Sequence, residues 1–343
     1  MFNIGIIGCG RISSVYMAAF QNMRDIVKVA FCVDKHLERA QAFAARFEGC
    51  KYSGRVDDLL QAKLDAVHVL TPHFLHKEHV TACLKAGFHV LTEKPIAIYE
   101  RDGMEMIAAA RECGRQLGVI FQNRYITGIR EARRLIAEGR FGRLQGAWSQ
   151  LNWWRPASYY ECDWKGSWEK EGGGVVIDQA IHSLDLVRFL VNSKVKSVQA
   201  HMDRRILTNI EVEDVADAAI VFENGVVYSF FANNYYTHNS PIRVELSGEH
   251  GTMLLTGDSV TLRLDGEEER TIPMEGAAGP AGEAYWGICH QIQILDFYKA
   301  LAENRPVPTD PSDALETLKL VQAIYRSARE NQRLELQDMG QTT

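Results

Sequence analysis

No stretch of this 343-residue chain holds the run of about 18 apolar residues that a membrane span needs. Basic residues do not dominate either. Lys and Arg number 38 against 44 Asp and Glu, a formal charge of -6, which leaves no positive field for nucleic acid. The seven cysteines are odd in number and scattered, with no C-x-x-C pair, so they read as reduced packing residues and no metal site is expected of them. Met1-Phe2-Asn3 leads straight into the apolar run Ile4–Ile7 without a basic leader or cleavage site, which makes the cytoplasm the default location. There is no repeat, no low-complexity segment, and no Gly-, Pro- or Ser-rich linker. The expected partners are small molecules and copies of the same chain.

What is present is an alternation of apolar runs and helical patterns through the first third of the chain. Strands are expected near 3–7, 27–33, 50–52, 65–70, 88–91 and 118–122, with helical segments between them, the pattern of a doubly wound parallel sheet. After the first strand comes Gly8-Cys9-Gly10-Arg11-Ile12-Ser13 and then a helix. In that context Gly8 serves the tight turn, Gly10 lets backbone approach a pyrophosphate, and Arg11 and Ile12 open the helix that faces it. Asp34 ends the second strand, about 20 residues on, where a carboxylate accepts hydrogen bonds from ribose hydroxyls and repels a 2′-phosphate. NAD is therefore expected in preference to NADP.

The fourth strand runs into Thr71-Pro72-His73-Phe74-Leu75-His76, with His79 beyond. Histidines at spacing three drift about 60° per step around a helix, so a loop and helix start brushing the cofactor is favoured over a metal centre. The fifth strand delivers Glu93-Lys94-Pro95 to the carboxyl edge of the sheet, where open α/β sheets gather ligands. Pro95 confines Lys94 to extended or turn geometry.

Beyond residue 122 the pattern changes to successive strands with Asn224-Gly225 and Asp265-Gly266 turns, so residues 123–343 are expected to form an α+β domain with a largely antiparallel sheet, following a 1–122 nucleotide-binding domain. Trp148, Leu151, Val227 and Phe231 leave a sheet face that a second copy would cover. Gly276–Gly282 reads as a flexible loop and 285–302 as a helix. Trp153, Trp154, Arg155, Tyr159 and Tyr160, followed by Trp164, Trp168 and the glycines at 172–174, suit stacking against a hydroxyl-rich ring. A helix from Val175 would set Asp178 and His182 one turn apart on one face. Oxidising a secondary alcohol needs a base and a group that steadies the alkoxide. His182 and Lys94 supply these, in an order the sequence leaves open, while Asp178 tunes His182 or binds a neighbouring hydroxyl.

Gly8-x-Gly10, Asp34, Thr71-Pro72 with His76, Glu93-Lys94-Pro95, Asn123-Arg124 and Asp178-x-x-x-His182 together resemble the glucose-fructose oxidoreductase / inositol dehydrogenase / MocA family over essentially the whole chain. The resemblance implies a Rossmann domain, an open-faced sheet used for dimer or tetramer contacts, and a tightly held nicotinamide cofactor. It places Lys94, Asp178 and His182 in catalysis and Thr71, Pro72, His76, Glu93, Lys94 and Asn123 with Gly8, Gly10, Arg11, Ile12 and Asp34 at the cofactor. Arg124, Trp153, Arg155, Tyr159, Tyr160 and Trp164 fall to the substrate, with Asp178 and His182. The aromatic run looks most like sugar dehydrogenases acting at C3, such as UDP-N-acetylglucosaminuronate 3-dehydrogenases, but that branch has asparagine where this chain has Asp178, which is closer to inositol dehydrogenases. The expected activity is NAD-dependent oxidation of a secondary hydroxyl, C3 of a pyranoside first and a cyclitol second. A glycoside-cleaving enzyme that recycles bound NAD and a catalytically silent NAD-binding sensor are the other two readings.

Overall fold

The computed structural model describes residues 1–273 and 289–336. In chain order the first elements are β1 (Phe2–Ile7), α1 (Ser13–Asn22), β2 (Val27–Val33), α2 (Leu37–Ala44), β3 (Lys51–Ser53), α3 (Val56–Leu60), β4 (Ala66–Val69), α4 (His76–Lys85), β5 (His89–Thr92), α5 (Glu100–Glu112) and β6 (Leu117–Val119). They continue with α6 (Thr127–Ala137), β7 (Leu144–Asn152), α7 (Ile181–Val191), β8 (Val195–Asp203), β9 (Val215–Phe222), β10 (Val227–Asn233), β11 (Arg243–Gly248), β12 (Gly251–Thr256), β13 (Ser259–Leu264), β14 (Arg270–Ile272), α8 (His290–Ala302), α9 (Pro311–Glu330) and β15 (Leu334–Glu335). Two compact units result: residues 1–122 with 277–316, and residues 123–276 with 317–343.

The first unit holds a six-stranded sheet in the order β3-β2-β1-β4-β5-β6, parallel throughout. Continuous apolar runs such as Ile4-Gly5-Ile6-Ile7 and Ala66-Val67 fit strands covered on both faces, and Ile4, Ile6, Ala66 and Val67 are fully buried. On α4 the buried residues His76, His79, Val80, Cys83 and Leu84 recur at helical spacing, and Gly87, at φ +90°, follows the helix. The described part of the 285–302 segment, α8, belongs to this unit and not to a continuous 123–343 domain. Its Ile294, Phe297 and Tyr298 join Ile4, Tyr16 and Phe20 in one core, and each side chain so buried contributes about 1.5–3 kcal/mol. An amphipathic stripe announces a helix without saying which sheet it covers. Gly276–Gly282 lies outside the described residues.

The second unit holds a nine-stranded sheet, β14-β13-β12-β11-β7-β10-β9-β8-β15. It is antiparallel except at its centre, where β7 and β10 run parallel. Side chains alternate across the sheet. Ala147, Ser149 and Leu151 of β7 face inward with Tyr228, Phe230 and Ala232 of β10, and Ser149 is hydrogen-bonded to Tyr228 at 2.6 Å. Leu151 is 1% exposed, so it belongs to the inner face; three residues from Trp148, it must point the opposite way. Trp148, Val227 and Phe231 keep the outer face, with Val227 49% exposed.

Candidate active site

In the first unit the glycine turn sits at the carboxyl end of β1. Gly8 has φ +100°, donates its N–H to the Val33 carbonyl at 2.8 Å, and would place a Cβ 2.7 Å from the Leu70 carbonyl oxygen. Only glycine fits there. A Cβ on Gly10 would meet nothing within 4 Å, so the protein itself does not demand that glycine; a ligand lying against the turn would. Asp34 fastens the turn from the next strand: its Oδ2 accepts the Cys9 N–H and its Oδ1 the His36 N–H, both at 2.8 Å. Arg11 is exposed and Ile12 partly so, immediately before α1. This combination of an open glycine, a helix start and a carboxylate at the end of β2 fits the adenosine and pyrophosphate of a dinucleotide.

Thr71 and Pro72 follow β4 and remain partly exposed. His76, expected at the cofactor, is instead a fully buried brace. Its Nδ1 lies 2.7 Å from the Pro95 carbonyl and its Nε2 2.9 Å from that of Thr71, so the ring ties the two loops together. Burial lowers its pKa to about 4. A neutral ring has one N–H, which it can give to only one of these carbonyls. His79 Nδ1 stands 3.2 Å from Thr71 Oγ1. Glu93, 7% exposed, accepts the Tyr16 hydroxyl at 2.7 Å, with His290 Nε2 3.7 Å away and the Lys94 N–H at 3.3 Å from its other oxygen. Lys94 is partly exposed at the end of this strand, and the Lys94–Pro95 bond is cis. Glu93 and His76 thus shape the backbone from which Lys94 projects.

In the second unit Asn123 is partly exposed at a 3-10 turn. Arg124, expected on the substrate, is 6% exposed and forks onto both Asp185 oxygens at 2.5 and 2.7 Å, with Thr317 also on Asp185 and the Phe189 ring 4.8 Å from the guanidinium carbon. That pair pins the turn to α7. Trp153 and Arg155 are also structural. The Trp153 indole donates to the Ser240 carbonyl at 3.1 Å, and Arg155, 3% exposed, covers that ring and donates to the Trp154 carbonyl and to Asn239. Tyr160 is buried, accepting from Asn234 Nδ2 at 2.6 Å. Tyr159 and Trp164 stay partly exposed.

Of the glycines at 172–174, the second and third are fixed by packing. A Cβ on Gly173 would lie 2.0 Å from the Tyr325 hydroxyl, and one on Gly174 1.9 Å from the Glu213 carbonyl. They are small because the helix start packs against β9's approach and α9 without room for a side chain. Glu213 caps that start, accepting from Gly174 N at 2.9 Å, Val176 N at 3.0 Å and the Tyr325 hydroxyl at 2.9 Å, while burial raises its pKa to about 7. The chain then makes a π turn over Val176–Ala180 before α7. Its wider i→i+5 period means that Asp178 and His182 are not set in register as they would be on one α-helix. Asp178, 8% exposed, receives Tyr159 Oη, Lys165 Nζ and Gln179 Nε2 on Oδ2 at 2.8, 2.6 and 2.7 Å. His182 is partly exposed in the first turn of α7. Lys165, Glu171 and Gln179 are absent from the sequence-based site; among the many charges of residues 161–171 nothing in the sequence singles them out. Among the described residues no group of three or more His, Cys, Asp or Glu could hold a metal, and no helix is long and apolar enough to cross a membrane.

Two family models match the chain, an oxidoreductase family with an NAD-binding Rossmann fold over residues 2–121 and the GFO/IDH/MocA C-terminal domain over residues 129–254. The chain belongs to the Gfo/Idh/MocA family. This Gfo/Idh/MocA protein is therefore an NAD-binding oxidoreductase. It is 26% identical to the D-glucoside 3-dehydrogenase of Escherichia coli over 97% of both chains, and 29% identical to inositol 2-dehydrogenase 2 of Saccharopolyspora erythraea over 79% of this chain and 78% of that one. The WlbA dehydrogenase of Bordetella pertussis, solved with NADH and UDP-GlcNAcA, superimposes with a TM-score of 0.83 at 30% identity, over 97% of this chain and 98% of that one.

Proposed function

We propose that this Gfo/Idh/MocA member oxidises a secondary hydroxyl of a pyranoside, at C3, passing the hydride to NAD. The observation that carries the reading is Asp178: a buried carboxylate fixed by Tyr159, Lys165 and Gln179 in the turn before His182. Such an acid group can hold a substrate hydroxyl or the histidine that takes its proton. The likeness to a D-glucoside 3-dehydrogenase over nearly all of both chains supports the choice of substrate class. Bound NAD supplies the hydride acceptor; Gly8, Gly10, Arg11, Ile12 and Asp34 hold it, with Thr71, Pro72 and Asn123 beside it. Lys94 and His182 divide two roles, taking up the hydroxyl proton and steadying the oxygen as negative charge develops. Tyr159 and Trp164, both partly exposed in the loop, offer rings to the sugar.

A second reading, inositol oxidation, rests on the aspartate at position 178 and on the likeness to inositol 2-dehydrogenase 2. Absorbance at the NADH band, followed with methyl glucosides, free hexoses, inositols and UDP-sugars under NAD or NADP, separates these. We expect NADH with glucosides. NADH only with inositols would select the second reading, and glycoside cleavage without net NADH would replace both. The apolar outer face at Trp148, Val227 and Phe231 is proposed as the contact between copies, checked by light scattering of the Val227→Glu variant.

A further inference from the structure

Lys165 lies in the Trp164–Trp168 run, where sugar stacking is the sequence-based expectation, yet its side chain is only 10% exposed. Its Nζ stands 2.6 Å from Asp178 Oδ2 and 3.1 Å from Glu171 Oε1, and it lies 4.4 and 4.5 Å from the ring centroids of Trp164 and Tyr159. Burial alone would neutralise such an amine, but Asp178 and then Glu171 outweigh it and raise the pKa well above the usual lysine value. Glu171, 1% exposed, is in turn held by the Gly166 N–H. Of the three donors named on Asp178 Oδ2, Lys165 alone brings a charge, and it brings it from behind two aromatic rings.

We propose that Lys165 is a positioning residue for the oxidation, its ammonium pairing with the Asp178 carboxylate and holding it in one orientation in the turn before His182. The inference rests on the dehydrogenase reading given above. It gives the Trp-Lys-Gly-Ser-Trp run a second role, since besides any contact with sugar the run carries the clamp that sets the acid group. A salt bridge that merely stabilised the fold would lower the melting temperature without acting on turnover through Asp178.

The test compares NADH formation, NAD affinity and melting temperature in the wild type, Lys165→Met, Lys165→Arg, Asp178→Asn and the Lys165→Met/Asp178→Asn double variant. Lys165→Met is expected to lower kcat about tenfold or more with NAD affinity within about twofold, and Lys165→Arg to recover most of the loss. With Asp178→Asn already present, Lys165→Met should cost less than about twofold further, because the two act as a unit. A kcat within about twofold of wild type in Lys165→Met, or full additivity in the double variant, would overturn the proposal. If Lys165→Met alone does not fold, the double variant, which removes both charges, decides: kcat equal to that of Asp178→Asn supports it and a further tenfold loss refutes it. Failure of the dehydrogenase reading shows differently, as a wild type that forms no NADH on any alcohol, and that result would sink both.

Discussion

The two units bury different kinds of polar group. Among the described residues, the histidines exposed by less than a tenth, His68, His73, His76, His79 and His290, all lie in the first unit. The buried arginines Arg124 and Arg155, and the carboxylates Glu171, Asp178, Asp185, Glu213 and Asp214, lie in the second, against Asp34 and Glu93 in the first. Neutral imidazoles can brace backbone loops without a counter-charge, as His76 does between Thr71 and Pro95. Buried carboxylates need donors from several elements, and those donors are costly to remove. The first unit thus braces its backbone with neutral imidazoles, whereas the second buries carboxylates and meets them with donors, as Arg124 does for Asp185 and Tyr325 for Glu213.

That contrast breaks most sharply at Lys94. Lys94→Ala should lower kcat by about 10²–10⁴ with NAD affinity nearly intact, measured by steady-state kinetics and NAD titration. Near-normal turnover would remove the lysine from the chemistry. Asp34→Ala acts on the other quantity: NAD affinity should fall about 10- to 100-fold, since a carboxylate that fixes the glycine turn is lost, with kcat at saturating NAD little changed. An unaltered affinity would count against Asp34 as a cofactor group.

The units should also respond to pH in opposite directions. Burial lowers His68 and His290 to about 3 from 6.5, so the folded first unit keeps them neutral while the unfolded chain protonates them. Their contribution is complete above pH 6.5 and is lost as pH falls toward 3, by up to roughly 1.4 kcal/mol per pH unit for each group. Glu213, raised to about 7 from 4.5, contributes fully below pH 4.5 and loses that contribution as pH rises to 7. Hydrogen exchange resolved by unit should show protection falling with acid in the first and with base around Glu213 in the second. Parallel responses would refute the division. The smallest effects separate two glycines: Gly8→Ala should cost about 1–3 kcal/mol of stability, whereas Gly10→Ala should leave the stability within about 0.5 kcal/mol of wild type and weaken NAD. Equal losses of stability would deny that Gly10 faces a ligand.

The difference between the units also decides what is legible in the sequence. Gly8, Gly10, Asp34 and the Lys94 turn can be read because strand, turn and helix follow one another locally, and periodicity reports local structure. The parallel pairing of β7 with β10, the edge strand β15 on β8, and the place of α8 depend on contacts between distant residues, which periodicity does not encode. Arg124 and Arg155 are placed at the substrate by the family resemblance, but Asp185 and the Asn239 side chain, which accept their hydrogen bonds, are brought near only by folding. Lys165 is hidden in the sequence for the same reason. Nothing in the sequence around Gly173 and Gly174 shows that Tyr325 and Glu213 approach them too closely for a side chain.

His182 tests the central claim most directly, that the second unit contributes a proton-handling group to the proposed oxidation. In His182→Ala, kcat on a glucoside at saturating NAD should fall about 100-fold or more, with NAD affinity within about twofold of wild type. A kcat near the wild-type value, or a loss traced entirely to weaker NAD binding, would contradict it.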